Sequence, residues 1–472
     1  MAPEVFDIHT AFMYRLKVAG ERRRWEEAKN VLNEALAHEK RAEIANVYMY
    51  SNALNAAARC GNGQAALDLI EFMREERVAP NVVCYNTAIN ACRNDGLSAH
   101  AVWLLRLMQK EGPLPDVVSY NSTITACGSS GQWGQAVALL EEMERRRISP
   151  NVVSYNATIG ACGKGGQWGK AVALLNEMQA KDVVPDIVTF VTAITACGKA
   201  GQWELAMSLF ERMEKIGIVP NTVSYNAIIA ACGISGRWEE AVHFWNTMRN
   251  EGVCSPDIVT FNAVITACGN GGEWQHALGL FEEMRNLGIA PDVVSFTAAI
   301  TACGNRGQWQ RALDLFRNLQ QTGVGPNLVS YNAVITACGI GRQWKHAVDL
   351  LKEMQGKGAF TPDVISYNSA IIACRECGEW EQALALFEEM RDKGIAPNDV
   401  GYSAVIAACA VGGQWQKAQA LLGQMQRDSF TLDDTCYDVV VTACRDGRQP
   451  EQASALLEDM QNARVTSSFV ET

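Results

Sequence analysis

The amino-acid sequence predicts an all-α solenoid assembled from about twelve to thirteen helical hairpins. The 472-residue chain repeats itself every 35 residues, so that segments 117–151 and 152–186 overlay almost letter for letter. Within each repeat, apolar residues recur at spacings of three and four, which is typical of a helix face. Glycines in the middle of the repeat and a proline near its end separate two such stretches. A fixed period of this length is the signature of stacked supersecondary units.

Eleven recognisable repeats fill residues 47–433, when the chain is aligned on the block Val-Val-Ser-Tyr-Asn-Ala-x-Ile-x-Ala-Cys-Gly-x-x-Gly-Gln-Trp. They begin at Val47, Val82, Val117, Val152, Ile187, Thr222, Ile258, Val293, Leu328, Val364 and Asp399. Residues 1–46 are predicted to form a degenerate N-terminal repeat, and residues 434–472 a degenerate C-terminal repeat with a tail. Atypical end units are expected because they cover the exposed core of a solenoid.

The sequence of a single repeat, residues 152–186, predicts two helices that are not stable in isolation. Tyr155, Ile159 and Cys162 mark the apolar face of the first helix, and Trp168 and Ala171 begin the apolar stripe of the second. Neither short helix can bury its stripe without a partner, so each hairpin needs its neighbour for stability. The recurrent tryptophan is predicted to supply a large apolar contact where the second helix begins.

Most of the sixteen cysteines follow the repeat and predict no redox function. Eleven stand at the eleventh place of a unit: Cys92, Cys127, Cys162, Cys197, Cys232, Cys268, Cys303, Cys338, Cys374, Cys409 and Cys444. A free cysteine among small residues packs as a small hydrophobe. Neighbouring helices lie about 8–10 Å apart, beyond the reach of a disulfide, which favours a reducing compartment. The lone Cys374-x-x-Cys377 pair lacks the further ligands that zinc requires, so we expect it to be structural.

Composition and motifs disfavour a membrane protein and an enzyme. No apolar stretch is long enough to cross a bilayer, and residues 1–21 resemble neither a secretory signal nor a transit peptide. The six histidines are scattered, and neither a phosphate-binding glycine loop nor a zinc deaminase motif occurs. We therefore expect no catalytic residue, no metal and no cofactor.

The net charge of −11 is unfavourable for a partner rich in phosphate. Part of this acidity is expected on second helices that face outward, in the pairs Glu141 and Glu142, Glu282 and Glu283, and Glu388 and Glu389. At the thirteenth place only Lys164 and Lys199 supply lysine. We expect modest phosphate attraction, which keeps open a protein scaffold or structural subunit of a larger complex as the alternative function.

The repeat resembles the pentatricopeptide repeat family. The resemblance rests on Val-x-Ser/Thr-Tyr/Phe-Asn at the start of the unit, Ala at the twentieth place, Met at the twenty-seventh and Pro-Asp/Asn at the end. It covers about residues 47–433, and the Gly-Gln-Trp block is a departure from the common family pattern. The resemblance implies a right-handed α-solenoid that binds single-stranded RNA in a mitochondrion or plastid, without catalysis of its own. The tetratricopeptide repeat, which has a similar period and usually binds peptides, is the alternative fold label.

In that family the fifth and last residues of a repeat read one base, and an aliphatic second residue clamps it. Carried over, the uracil readers are Asn86 with Asp116, Asn156 with Asp186, Asn226 with Asp257, Asn262 with Asp292, and Asn332 with Asp363. The other pairs are Ser51 with Asn81 and Thr297 with Asn327 for adenine, Asn121 with Asn151 and Asn368 with Asn398 for a pyrimidine, Ser403 with Asp433 for guanine, and Val191 with Asn221 for no particular base. The implied RNA is 5′-A-U-Y-U-N-U-U-A-U-Y-G-3′.

The resemblance also assigns clamping and phosphate-binding residues. The clamps are Val83, Val118, Val153, Val188, Val223, Val259, Val294, Val329, Ile365 and Val400. Lys164 and Lys199 are the implied phosphate contacts.

Two structural interpretations remain open beside base reading. Asp or Asn before a first helix is also a good N-cap, and asparagine at the fifth place could form an amide ladder between repeats. Reading is favoured because these two places vary along the chain, whereas the cysteine and alanine places barely change.

Overall fold

The computed structural model describes residues 3–38, 46–252, 254–356, 360–428, 430 and 434–458. Across these ranges the secondary structure is helical, with turns between the helices and no strand. The predicted all-α repeat array is therefore confirmed. The chain divides into two compact units, Met1–Ser235 and Gly236–Thr472.

The first unit starts with the helices Pro3–Glu21 and Trp25–Ala37, which form the degenerate N-terminal hairpin. The first helices of its repeats are Val47–Cys60, Val82–Asn94, Val117–Ser129, Val152–Lys164, Ile187–Lys199 and Thr222–Ile234. The second helices are Gly63–Glu75, Ser98–Glu111, Trp133–Arg145, Trp168–Ala180 and Trp203–Lys215.

The second unit starts with a second helix, Trp238–Glu251. Its first helices are Ile258–Asn270, Val293–Gly304, Leu328–Ile340, Val364–Glu376, Asp399–Val411 and Asp434–Asp446. The remaining second helices are Trp274–Asn286, Trp309–Gln321, Trp344–Gly356, Trp380–Asp392 and Trp415–Arg427, followed by helical residues 450–458. None of the described helices is long and apolar enough to cross a membrane.

The first helices begin at side-chain caps. The Asp186 carboxylate accepts a hydrogen bond from the Thr189 backbone N–H at 2.9 Å, and the Asp186 N–H donates to the Thr189 hydroxyl at 3.1 Å. This reciprocal capping box satisfies two backbone donors at the helix start. Asn151 caps the preceding first helix in the same way, through Ser154. The last residue of a repeat therefore has the capping role that the sequence left open.

Close contact between successive first helices depends on glycine and alanine. A methyl group at Gly163 would lie 2.9 Å from the Ala196 side chain of the next repeat. The predicted core residues Tyr155, Ile159 and Cys162 are fully buried beside this contact. Small residues at these places let two helix backbones approach each other while larger side chains fill the flanks.

The array cysteines are buried hydrophobic residues, as the repeat pattern predicts. Cys162, Cys197 and Cys374 are fully buried, and all sixteen cysteines of the chain are free thiols. Burial raises the pKa of Cys197 to about 11, which keeps this thiol protonated at neutral pH. No group of three or more metal-ligating side chains occurs among the described residues.

The recurrent tryptophans are half-buried and pack against the next repeat. The Trp133 ring lies against Gly165, where any side chain would collide with it. The Arg311 guanidinium lies 4.7 Å from the Trp274 ring centre, close enough for a cation–π contact. The tryptophan thus couples neighbouring hairpins at their turns.

One acidic residue expected to face outward is instead buried. Glu142 is only 7% exposed, and it accepts hydrogen bonds from Tyr120 at 3.0 Å and Gln109 at 2.8 Å. It also forms ion pairs with Arg106 at 2.6 Å and Arg146 at 2.9 Å. The expectation was wrong because Glu142, on the second helix, contacts Tyr120 on the first helix of the same hairpin. Cationic and amide partners offset the cost of burying the charge.

Candidate nucleic-acid interface

The second residues of the repeats form a row of exposed aliphatic side chains. The ten residues predicted as clamps are between 48% and 60% exposed, although each is Val or Ile. Single exposed aliphatic residues are common on protein surfaces. Their recurrence at one place of successive first helices defines a continuous apolar face within each unit.

Polar pairs lie next to this face. Asn156 Nδ2 donates a hydrogen bond to Asp186 Oδ1 at 3.0 Å, and Asn368 Nδ2 donates to Asn398 Oδ1 at 2.8 Å. The same bond, at 3.2 or 3.3 Å, joins Asn86 to Asp116, Asn121 to Asn151, Asn262 to Asp292, and Asn332 to Asp363. The fifth residue and the last residue therefore meet as a pair in these six repeats. Each of these bonds joins two residues of the same repeat, and the last residue also caps the first helix of the next repeat.

In two repeats the asparagine oxygen accepts a hydrogen bond from the buried third residue of the next repeat. Ser295 Oγ donates to Asn262 Oδ1 at 2.6 Å, and Ser366 Oγ donates to Asn332 Oδ1 at 2.7 Å. These serines are fully buried, and sequence reasoning did not identify them as part of the site. The signal available was Ser or Thr at the third place of eight of the eleven repeats. Their hydroxyls position the amide that lies in front of them.

The paired aspartates are ionised at neutral pH. Burial alone would raise the pKa of Asp186, but hydrogen bonds from the Thr189 N–H, the Asn156 amide and the Thr189 hydroxyl outweigh it and lower this pKa. The pKa of Asp116 is lowered in the same way by Ser119 and Asn86. An ionised carboxylate only accepts hydrogen bonds, whereas an asparagine at the same place can also donate.

Repeats without the usual asparagine differ in their local contacts. The Thr297 hydroxyl donates to the Val293 carbonyl at 2.6 Å, and its side chain lines a cavity of about 300 Å³ between Val294 and Val329. Val191 has no side-chain donor, so it cannot form the bond to Asn221 that its neighbours form. The assignment of these pairs to adenine and to no particular base remains a prediction.

The repeats at the two ends have serine at the fifth place. Ser51 forms a hydrogen bond with Cys84, and Ser403 Oγ lies 3.1 Å from Cys436 Sγ. Asn81 caps the helix Val82–Asn94 through the Cys84 N–H. Asp433, the predicted partner of Ser403, lies outside the described residues.

The remaining predicted pair is divided between the two compact units. Asn226 lies on the helix Thr222–Ile234 of the first unit. Asp257 caps the helix Ile258–Asn270 of the second unit through the Thr260 N–H, at 2.9 Å.

Positive charge on the candidate interface is sparse. Lys164 and Lys199 are exposed at the C-terminal ends of two successive first helices. Neither forms an ion pair with any of the residues that the structure describes. Both ammonium groups are accessible to an anion that follows the apolar face.

The described chain has the features of an α-helical repeat protein with a row of exposed aliphatic residues beside polar pairs. Family models described as pentatricopeptide repeat domain match residues 40–95, 173–235 and 279–340. A second family model, described as the PPR repeat family, matches residues 80–127, 115–164, 220–255, 326–374 and 362–411. A third, described as the PPR repeat, matches residues 153–183, 259–289 and 400–430. These matches together span most of the chain. The protein belongs to the pentatricopeptide repeat family.

Several solved structures are similar to this chain. Maize PPR10 is 20% identical, with 98% of this chain and 80% of that chain covered and a TM-score of 0.42. PPR10 in complex with an 18-nt psaJ RNA element is 24% identical over 95% of this chain and 74% of that chain, with a TM-score of 0.47. Yeast Rmd9p in complex with a 16-nt target RNA is 12% identical, with 100% of this chain and 97% of that chain covered and a TM-score of 0.40. A comparison with curated proteins found no match.

Proposed function

We propose that the protein binds single-stranded RNA in the order 5′-A-U-Y-U-N-U-U-A-U-Y-G-3′, with one repeat contacting one base. The observation that carries the proposal is a hydrogen-bonded pair of the fifth and last residues beside an exposed Val or Ile, repeated in six units. The aliphatic side chain offers a surface to the flat side of a base. The polar pair offers donors and acceptors to its edge.

Helix capping alone does not account for this arrangement. A cap requires only the last residue of a repeat and the first turn of the next helix. The fifth residue lies on the preceding first helix, where asparagine is a weaker helix former than alanine or leucine. Its recurrence beside an exposed apolar side chain is what a base-binding face needs.

We infer that RNA cutting, if it occurs, is carried out by a partner. The family is one of RNA-binding repeat arrays, and the described face offers hydrogen-bonding amides, carboxylates and aliphatic side chains. The role we propose is stabilisation, processing or translation of a transcript in a mitochondrion or plastid, because pentatricopeptide repeat proteins are generally organellar.

The net charge favours one alternative, a scaffold that binds protein. An acidic solenoid with few lysines on its binding face would attract phosphate weakly. A protein partner would not depend on the asparagine amides of the fifth place. The two functions are therefore separable by substitution.

Fluorescence anisotropy with labelled A-U-U-U-U-U-U-A-U-U-G RNA and a scrambled oligomer, at two salt concentrations, tests the proposal. The protein should prefer the unscrambled RNA. Asn262→Ala should lower this affinity about fivefold, since one hydrogen bond contributes about 1 kcal/mol, and should relax selection at the seventh base. Asn246→Ala, on the second helix Trp238–Glu251, is the matched control. If the protein binds both RNAs equally well, or binds neither RNA, the result would contradict the proposal and favour the scaffold.

A further inference from the structure

The first repeat differs from the others at its clamp. Its second residue is Tyr48, where the other repeats have Val or Ile. The Tyr48 side chain is 70% exposed. The start of its helix is well defined, because the Asn46 side chain accepts hydrogen bonds from the Tyr48 N–H at 3.1 Å and the Met49 N–H at 3.2 Å. An aromatic ring therefore occupies the end of the aliphatic row.

The helix Pro3–Glu21 packs against Val47–Cys60 as the first helix of a preceding repeat would. Asn52 Nδ2 donates to the Met13 sulfur at 3.1 Å, and His9 Nε2 lies 3.3 Å from Asn46 Oδ1. Met13 precedes Trp25 by the same interval as the fifth residue precedes the tryptophan in a complete repeat. Met13 thus stands where a reading residue would stand in this degenerate unit.

This extra unit lacks the chemistry to select a base. A thioether is a weak acceptor without a donor, and the Met13 sulfur already accepts the Asn52 amide. Next to it, however, Tyr14 is 68% exposed. An exposed aromatic ring stacks on any base, because every base has a π-face.

We propose that Tyr48 and Tyr14 form a stacking platform for the nucleotide immediately 5′ of the first read base, which they hold without selecting its identity. This inference rests on the proposed RNA-binding function. The first read base then lies between Tyr48 and Val83. The flanking nucleotide lies on the other side of the Tyr48 ring, between Tyr48 and Tyr14. The bound RNA then extends one nucleotide beyond the eleven that the repeats read.

Two RNAs test the platform: the eleven-nucleotide target, and the same RNA with 2-aminopurine added at its 5′ end. The added nucleotide should raise the affinity of the wild-type protein about fivefold or more, and its fluorescence should fall on binding through stacking. Tyr14→Ala and Tyr48→Val should abolish both effects. Val is the residue of most other repeats at that place, so this variant should fold. Trp103→Ala, which removes an exposed aromatic ring from the second helix Ser98–Glu111, should change neither effect.

The outcomes separate this inference from the function on which it rests. Selective binding of the shorter RNA, with no gain and no quenching from the added nucleotide, would overturn the platform and leave base reading intact. Quenching that survives both tyrosine substitutions would also overturn it. If the shorter RNA binds no better than its scrambled version, both proposals fail together.

Discussion

Asn156 and Asp186, which the family resemblance assigns to one base, are joined by a 3.0 Å hydrogen bond between the amide nitrogen and the carboxylate. The same carboxylate oxygen accepts bonds from the Thr189 N–H at 2.9 Å and the Thr189 hydroxyl at 2.8 Å. One side chain thus caps the first helix of the next repeat and binds the fifth residue of its own repeat. Capping and base reading are compatible roles of a single residue.

Asp186→Asn should separate these two roles. Asn already caps the neighbouring first helices at Asn151 and Asn221, so the variant should lose no more than about 0.5 kcal/mol of stability. The preference at the fourth base should change from uracil toward either pyrimidine. Anisotropy with RNAs carrying uracil or cytosine at that base measures the change, and an unaltered preference would limit Asp186 to capping.

Acid should destabilise the protein through the capping aspartates. Hydrogen bonds lower the pKa of four of them below the unfolded value of about 3.9, despite burial: Asp116, Asp186, Asp292 and Asp363. Their contribution to stability is complete above about pH 4 and is lost as the pH falls through the folded pKa, because the unfolded state binds more protons there.

Urea unfolding at pH 5 and pH 3 measures this loss. A variant with Asn at all four places should lose less stability over that interval than the wild-type protein. Equal losses would mean that other carboxylates, such as Glu142, govern the acid response.

The close contact between first helices predicts opposite effects for two glycines. A methyl group at Gly198 would lie 2.5 Å from the Ala231 side chain, so Gly198→Ala should destabilise the protein by about 1–3 kcal/mol through overpacking. A methyl group at Gly160 would lie 3.6 Å from its nearest neighbour, the Thr192 side chain, which is an ordinary contact distance. Gly160→Ala should therefore be neutral or should stabilise the protein by up to about 1 kcal/mol. Chemical denaturation of both variants provides the comparison, and a stable Gly198→Ala variant would argue against the tight contact.

Salt dependence should reveal the phosphate contacts. If Lys164 and Lys199 each approach one phosphate, changing both to Ala should flatten the slope of log K against log salt by about 0.7 per lysine. Lys215→Ala, which removes a lysine ion-paired to Glu211 on a second helix, should leave the slope unchanged. Titrations with the target RNA at several salt concentrations give the slopes, and identical slopes would remove both lysines from the interface.

Thiol labelling should distinguish the buried array cysteines from the three partly exposed cysteines. Burial raises the pKa of Cys127 and Cys338 to about 11, so such thiols should resist alkylation at pH 8 while the protein is folded. Cys60, Cys254 and Cys377 are partly exposed and should react first. Mass spectrometry before and after unfolding counts the labels, and rapid labelling of array cysteines would contradict their burial.

Much of the fold and part of the candidate site could be predicted because they are local or periodic. The boundaries of the hairpins follow from apolar spacing, and the caps at Asn151 and Asp186 follow from residue type directly before a helix. The exposed place of Val153 follows from the same periodicity, since the buried face is marked by Tyr155 and Ile159.

Relations between residues of different helices or repeats could not be predicted with the same certainty. Glu142 was expected on an outward face, but its contact with Tyr120 on the other helix of the hairpin makes it buried. Ser295 was assigned no role, and only the stacking of two repeats brings its hydroxyl to Asn262.

The sequence by itself determined the repeat, the helical hairpin and the residues on each helix face, because these depend on short-range spacing and backbone capping. The tertiary structure alone decided which side chains of neighbouring repeats touch. The Ser295–Asn262 bond and the packing of Trp133 on Gly165 arise only when separate hairpins stack. Their geometry depends on how closely the helices approach, and small residues such as Gly163 and Ala196 set that distance.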